Sequence, residues 1–195
     1  MPPQPHIPQS ALKDFWSFAS DFRSVTAWTA KAFVAAPLID IILGFGPPWP
    51  TRTGVPVLTS IVETFVLMYT FVFWKRMPLK RLTTCFRGAV ILIVITFILY
   101  IMIFSFFVYN APSPDAREIK GFLYRPPVQE LIDRGESVES LINSAGYVAT
   151  SIWISWTVYT MRVVVLISWL SFFMALAASI ASFVLLQRRA VFVAK

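Results

Sequence analysis

The longest uncharged run of the chain, from Ala89 to Tyr109, constrains its fold more than any other feature. This run holds 21 residues and no charged side chain. A helix of that length crosses the hydrocarbon core of a bilayer and is longer than an ordinary core segment of a soluble protein. Of all 195 residues, 57% are hydrophobic and only 14% are charged. The sequence therefore predicts an integral membrane protein that forms one compact bundle.

Four apolar segments are predicted to cross the membrane, so the expected fold class is all-α, a polytopic membrane helical bundle. These predicted spans cover residues 25–45, 55–74, 88–110 and 161–187, within a bundle of residues 25–187. The first span is the weakest because it contains Lys31, Pro37 and Asp40, and proline kinks a helix. A re-entrant element therefore remains an alternative for that segment.

Residues 1–24 are expected to form a cytoplasmic tail and an amphipathic helix. Apolar residues recur on one helical face from Leu12 to Phe22, and polar residues fill the opposite face. Such a helix is suited to lying in the headgroup layer of a membrane. Packing of this helix against a soluble partner or a neighbouring subunit is the alternative.

The distribution of charge predicts the orientation in the membrane. Residues 75–87 carry five basic side chains and no acidic one, and cytoplasmic loops next to spans collect Lys and Arg. The polar segment 111–160 is then expected outside, and the basic tail 188–195 inside. Both termini are therefore expected in the cytoplasm, most simply at a bacterial inner membrane. A fifth span within residues 146–160 is the alternative, although it would place the basic tail outside.

Two carboxylates, Asp40 and Glu63, lie inside predicted spans. An ionisable group at membrane depth is costly, and it is a hypothesis of function by default. Copies of these residues around an oligomer would form an acidic ring that draws cations through a pore. The alternatives are pairing with Arg162 or Arg52, or protonation against hydroxyl groups of the bundle.

The last predicted span carries a seam of small residues at heptad spacing. Small residues let helix backbones approach closely in lipid. The seam is interpreted as intramolecular packing, as contact between identical chains, or as a pore wall lined by serine hydroxyls. The helix-packing candidates are Ala175 and Ala178, and the candidates for an ion pathway are Ser168, Ser171 and Ser182.

The basic segment before the third span is a candidate site for an anionic ligand or for lipid headgroups. A nucleic-acid partner is not expected, because the basic side chains lie at the ends of apolar runs rather than on a soluble face with stacking aromatics. The candidate residues are Lys75, Arg76, Lys80, Arg81 and Arg87.

Enzymatic chemistry is not expected. The only histidine is His6 in the tail, which argues against histidine-based metal sites and acid–base chemistry. Nucleotide-binding loops and serine-hydrolase motifs are also missing from the sequence. The sequence therefore predicts neither a metal nor a cofactor.

The predicted layout, small spans around a short basic cytoplasmic loop without a catalytic group, is similar to that of small four-span pore effectors of bacterial immunity. This is a resemblance of topology without a shared motif, and it implies a pore. The function predicted from sequence is a homo-oligomeric ion channel or membrane-permeabilising effector, gated from the cytoplasmic side. The alternative is a non-catalytic structural subunit of a larger membrane complex.

Overall fold

The protein is described by a computed structural model over residues 46–49, 54–112 and 117–193. The predicted amphipathic helix within residues 1–24 and the predicted first span, 25–45, lie outside these residues. The described part is mostly helical, as predicted. Its elements in chain order are α1 (Gly54–Trp74), α2 (Leu79–Phe107), β1 (Val108–Asn110), β2 (Arg117–Ile119), α3 (Pro126–Asp133), α4 (Val138–Ser144), α5 (Ala149–Ile152) and α6 (Ser155–Val193).

Three of these helices are long and apolar enough to cross a membrane: α1, α2 and the part of α6 from Ser155 to Gln187. This is the architecture expected of an integral membrane protein. At 1.5 Å per residue α1 is about 31 Å long, which matches a hydrocarbon core of about 30 Å. The other two helices exceed that thickness. Their charge-free parts, after Arg87 in α2 and between Arg162 and Arg188 in α6, come closer to it.

The helix boundaries differ from the predicted spans. The second long helix begins at Leu79 rather than at residue 88, because Pro78 fits the position before a helix and the basic residues that follow are good helix formers. It ends at Phe107, where the chain becomes the strand β1. The last helix begins at Ser155 rather than at residue 161, so the predicted outer segment 111–160 contains its first turns.

The chain between α4 and α6 does not form a further span. Gly146 and Tyr147 both have positive φ values, of 61° and 64°, and this left-handed conformation ends the preceding helix. The helix α5 that follows has only four residues, and the chain is extended again at Trp153. Within the described residues there is accordingly no fifth span in 146–160.

The helix α6 packs against both α1 and α2. Three small side chains of α6, Ala175, Ala177 and Ala181, are buried. Larger rings fill the space beside them, and the ring centroids of Phe97 in α2 and Phe172 in α6 are 5.4 Å apart. Small residues at the contact and rings next to it are typical of helix packing in lipid.

One end of the bundle is a short turn that joins α1 to α2. Only Lys75, Arg76, Met77 and Pro78 separate the two helices, and the backbone N–H of Met77 donates to the carbonyl oxygen of Trp74. The guanidinium of Arg189, near the end of α6, donates to the carbonyl oxygens of Lys75 and Met77. These bonds place the end of α6 at the same end of the bundle as the turn.

The opposite end carries a small cap, formed by residues 108–112 and 117–154. Strands β1 and β2 pair antiparallel, with Val108 opposite Ile119. Trp153 is almost fully buried, and its ring centroid lies 5.9 Å from those of Tyr109 and Tyr124. The cap therefore has a core of its own, centred on one tryptophan.

An ion pair joins the cap to α6, and a half-buried phenol makes a hydrogen bond within the cap itself. The Nη2 atom of Arg162 lies 3.1 Å from a carboxylate oxygen of Glu118 in β2. The hydroxyl of Tyr109 donates to the carbonyl oxygen of Tyr147 at 3.0 Å. Burial, and to a lesser degree the nearby negative charge of Glu118, raise the pKa of Tyr109 to about 12, whereas the charge of Arg162 opposes this rise. The phenol is therefore neutral at ordinary pH.

Replacing Gly121 by Ala is expected to loosen the cap. A Cβ atom at this position would lie 2.3 Å from Oγ1 of Thr157 and 2.7 Å from Cβ of Trp153. Neither neighbour is free to move, since the Thr157 hydroxyl donates to the carbonyl oxygen of Ile154 and the Trp153 ring is buried. Such overpacking costs about 1 to 3 kcal/mol. The measurement is thermal unfolding of the purified protein in detergent, followed by tryptophan fluorescence.

The matched control for this experiment is Gly88→Ala. No atom lies within 4 Å of a Cβ built on Gly88, and alanine in a helix is favoured over glycine by about 1 kcal/mol. The control should therefore unfold at the same temperature as the unmodified protein or higher. Equal midpoints for the two variants would contradict the close contact between Gly121 and α6.

Candidate functional site

A strip of buried polar residues runs along α1. Thr59, Glu63 and Thr70 are all buried, and together with Val55 and Leu67 they recur at the spacing of one helix face. The opposite face of α1 is apolar and exposed, as expected of a surface that meets lipid. The three polar side chains of the strip therefore point into the bundle and away from the surrounding membrane.

A hydrogen bond joins this strip to α6. The indole Nε1–H of Trp169 donates to Oγ1 of Thr59 at 3.0 Å, and the Thr59 hydroxyl itself donates to the carbonyl oxygen of Val55 at 2.8 Å. The Trp169 ring also lies against Tyr100 of α2, with centroids 5.2 Å apart. One tryptophan thus contacts both of the other long helices and fixes where α1 meets α6.

Glu63 lies one turn beyond Thr59 on the same face, near the middle of α1. Its position is about 14 Å from the start of the helix and about 17 Å from its end. Only 4% of Glu63 is exposed, and its Oε2 atom has no hydrogen-bond partner among the described residues. An unpaired buried carboxylate costs several kcal/mol at least. Two buried side-chain atoms of the described residues have no hydrogen-bond partner, this Oε2 of Glu63 and the Nε of Arg162, and Glu63 is the one near mid-helix.

One residue predicted to lie near Glu63, Arg162, is described by the structure, and two others, Arg52 and Asp40, are not. Arg162 does not pair with it, because the guanidinium of Arg162 contacts Glu118 instead. Arg52 and Asp40 lie outside the described residues, so the predicted acidic pair of Asp40 and Glu63 stays a prediction. The described carboxylates other than Glu63 belong to the cap. No group of three or more potential metal ligands occurs in the part of the chain that the structure describes.

The small-residue seam lies largely inside a single chain. Ser168, Ala175 and Ser182 are buried, whereas Ser171 and Ala178 are half-buried. The hydroxyls of Ser168 and Ser182 donate to carbonyl oxygens of their own helix, those of Val165 and Ala178. Three members of the seam are therefore covered within one chain, and the roles predicted for the seam stay predictions.

The predicted basic residues all lie at the turn end of the bundle. Two of them are in the turn itself and three are on the first turns of α2, and every one of the five side chains is exposed. The structure therefore keeps together the five residues that the sequence grouped, although it separates them from the buried polar strip. They are Lys75, Arg76, Lys80, Arg81 and Arg87.

Three residues that hold the long helices together, Thr59, Trp169 and Arg189, are not apparent as such from the sequence pattern. Thr59 and Trp169 were missed because their hydrogen bond joins residues that are 110 positions apart, and no local pattern reports such a contact. Arg189 was treated only as part of a basic tail. The signal available for Thr59 was its position one helical turn before Glu63, on the same face.

Comparisons with known proteins found no matching family model, no matching curated protein and no matching solved structure.

The contact between Thr59 and Trp169 is expected to couple α1 to α6 energetically. Trp169→Phe removes the N–H donor and keeps an aromatic ring, and Thr59→Val removes the acceptor and keeps the shape. A double-mutant cycle isolates their interaction, and side-chain hydrogen bonds in membrane proteins average about 0.6 kcal/mol in such cycles. The measurement is the free energy of unfolding in mixed micelles. A coupling energy of zero would contradict the hydrogen bond.

Proposed function

We propose that this protein is a homo-oligomeric ion channel of the bacterial inner membrane that passes cations and opens from a cytoplasmic basic end. One observation carries the proposal: the buried Glu63, halfway along a helix that matches the membrane thickness, with a carboxylate oxygen that no described residue satisfies. Ionisable residues at membrane depth are costly, and they are found along ion pathways and in proton relays.

The chemistry of a carboxylate at this depth favours a cation as its transient partner. Oxygen ligands replace part of the hydration shell of a cation that enters the membrane, and negative charge excludes anions from the same path. In an oligomer, each chain contributes one Glu63. The path would then follow the contact between α1 and α6 rather than the serines of α6 alone, since Ser168 and Ser182 already donate to their own helix.

The burial of Glu63 makes the described conformation a closed one under this proposal. Conduction then requires α1 to separate from α6 near Thr59 and Trp169. The bonds from Arg189 to the carbonyl oxygens of Lys75 and Met77 join the end of α6 to the turn that follows α1. A ligand that alters this turn would act on the contact between α1 and α6, which is a physical route for gating from the basic end.

A second candidate function is that of a non-catalytic subunit in a larger membrane complex. The exposed aromatic rings near the cap favour it. Phe122 and Trp156 meet edge to face with centroids 5.2 Å apart, and both remain exposed, as does Tyr159 nearby. Such rings sit equally well at a membrane interface or against a partner protein. In a complex, a basic group of the partner would satisfy Glu63.

The test of the channel is ion flux into liposomes that contain only the purified protein. Glu63→Gln keeps the shape of the side chain and removes its charge, so the ratio of cation to anion permeability should fall by about tenfold, equivalent to about 1.4 kcal/mol of lost cation stabilisation. The matched control is Thr64→Val, the next residue of α1, whose side chain is exposed. The control should conduct as the unmodified protein does.

Two outcomes would contradict the channel. The first is an unchanged permeability ratio in Glu63→Gln with normal flux. This result would show that the carboxylate of Glu63 is not part of the ion pathway. The second is a monomeric protein by native mass spectrometry that carries no flux, which favours the subunit of a complex.

The proposed orientation has its own test. Single cysteines are placed at Lys80 and at Ser137 in a Cys85→Ala background, and intact vesicles are treated with a maleimide that does not cross membranes. The two positions lie at opposite ends of the bundle, so each should react from a different side, and position 80 from the cytoplasmic one. Labelling of both positions from one side would contradict the arrangement.

A further inference from the structure

We propose that the basic end of the bundle, defined by Lys75, Arg76, Lys80, Arg81 and Arg87, binds the phosphate groups of anionic phospholipids. The first support is exposure. All five side chains are exposed, and the turn Lys75–Pro78 holds the first two close to Lys80 and Arg81 at the start of α2. Arg87 lies about 12 Å beyond the start of the same helix, so the five cationic groups follow one another at one end of the bundle.

The second support is that the described part of the chain places no carboxylate at that surface. None of the five side chains forms an ion pair or a hydrogen bond with any described residue. The carboxylates that the structure describes lie either in the cap, at the far end of the bundle, or at Glu63 inside it. The positive charge is therefore uncompensated by the described chain. It attracts mobile anions with a strength that falls as salt rises.

The backbone adds donors to the same surface. The residue that precedes α2, Pro78, makes no side-chain hydrogen bond to the helix, and the N–H groups of the first three helical residues have no carbonyl partner within their own helix. The positive end of a helix dipole of 29 residues points the same way and favours an anion. Arg189 keeps the turn in place, because it donates to the carbonyl oxygens of Lys75 and Met77.

The depth of the basic residues in the membrane favours a lipid phosphate over a soluble phosphate compound. Exposed apolar side chains flank the basic groups directly, with Phe73 at 58% and Leu79 at 51% exposure. These side chains require lipid contact, so the basic groups lie at the boundary of the hydrocarbon core, where lipid phosphates are already present. A soluble phosphate compound would have to reach the same depth from the water. The surface therefore suits a lipid headgroup, and each basic residue is expected to strengthen binding about fivefold.

This proposal does not depend on ion conduction, because it concerns only the exposed turn and the start of α2. It holds equally for a channel and for a subunit of a complex, so its failure and the failure of the channel are separate results.

The experiment measures which lipids stay bound to the protein. The protein is reconstituted in nanodiscs of equal parts phosphatidylglycerol and phosphatidylcholine with identical acyl chains, and the retained lipids are identified by native mass spectrometry. The unmodified protein should retain phosphatidylglycerol in several-fold excess. Lys80→Gln with Arg81→Gln should bring the ratio of the two retained lipids close to one, because each lost charge weakens binding about fivefold, while the remaining three basic residues preserve orientation.

Two further variants make the result specific. Arg125→Gln with Arg134→Gln removes two exposed charges from the cap and should leave the lipid ratio unchanged. Lys80→Arg with Arg81→Lys keeps both charges and should retain the excess, which separates loss of charge from loss of fold.

Three outcomes would overturn the proposal. An unchanged ratio in Lys80→Gln with Arg81→Gln would show that these residues do not bind lipid. An equal loss in the cap variant would show an effect of net charge alone. Retention of inorganic phosphate, added to the same nanodiscs, with no preference for phosphatidylglycerol would show a site for soluble phosphates.

Discussion

Close approach of helix backbones is the interaction on which the rest of this structure depends. Lipid tails are as apolar as leucine, so helices in a membrane gain little from burying apolar surface and must gain from packing and hydrogen bonds. The buried alanines and serines of α6 allow such an approach, and the Thr59–Trp169 hydrogen bond adds the polar part. The position of Glu63 follows from that contact, since it lies on the same face of α1.

The sequence predicted the helical membrane character, and it predicted three segments that correspond to α1, α2 and α6. The predicted helix boundaries were less accurate. The predicted third span begins only after the last basic residue, Arg87, whereas α2 already begins after Pro78, because Lys80 and Arg81 are good helix formers. The predicted layout has no span within residues 146–160, and the structure has a break in that segment before α6 begins. The place of the break, at Gly146 and Tyr147, depends on a left-handed backbone that only the structure reveals.

The candidate site was predictable only in part, for a related reason. Glu63 is conspicuous in sequence because a charged residue interrupts an apolar run. The residues around Glu63 depend on which helices pack together. Helical periodicity predicts which face of a helix is buried, but it does not predict which other helix packs against that face. The seam from Ser168 to Ser182 illustrates this limit, because its spacing suits contact within a chain and contact between chains equally. The structure places Ser168, Ala175 and Ser182 inside one chain.

The charged residues at both ends of α6 set the depth of the bundle in the membrane, and at that depth the carboxylate of Glu63 cannot reach the membrane–water interface. Arg162 contacts Glu118 in the cap and Arg189 contacts the turn, so the charge-free part of α6 between them sets the depth of the bundle in the hydrocarbon. Lysine and arginine reach the interface with long side chains from near a helix end. A glutamate side chain spans only a few ångströms, which is far less than the about 14 Å that separates Glu63 from the nearer end of α1. Its charge must therefore be neutralised where it lies, by a proton, a cation or a basic group of another chain.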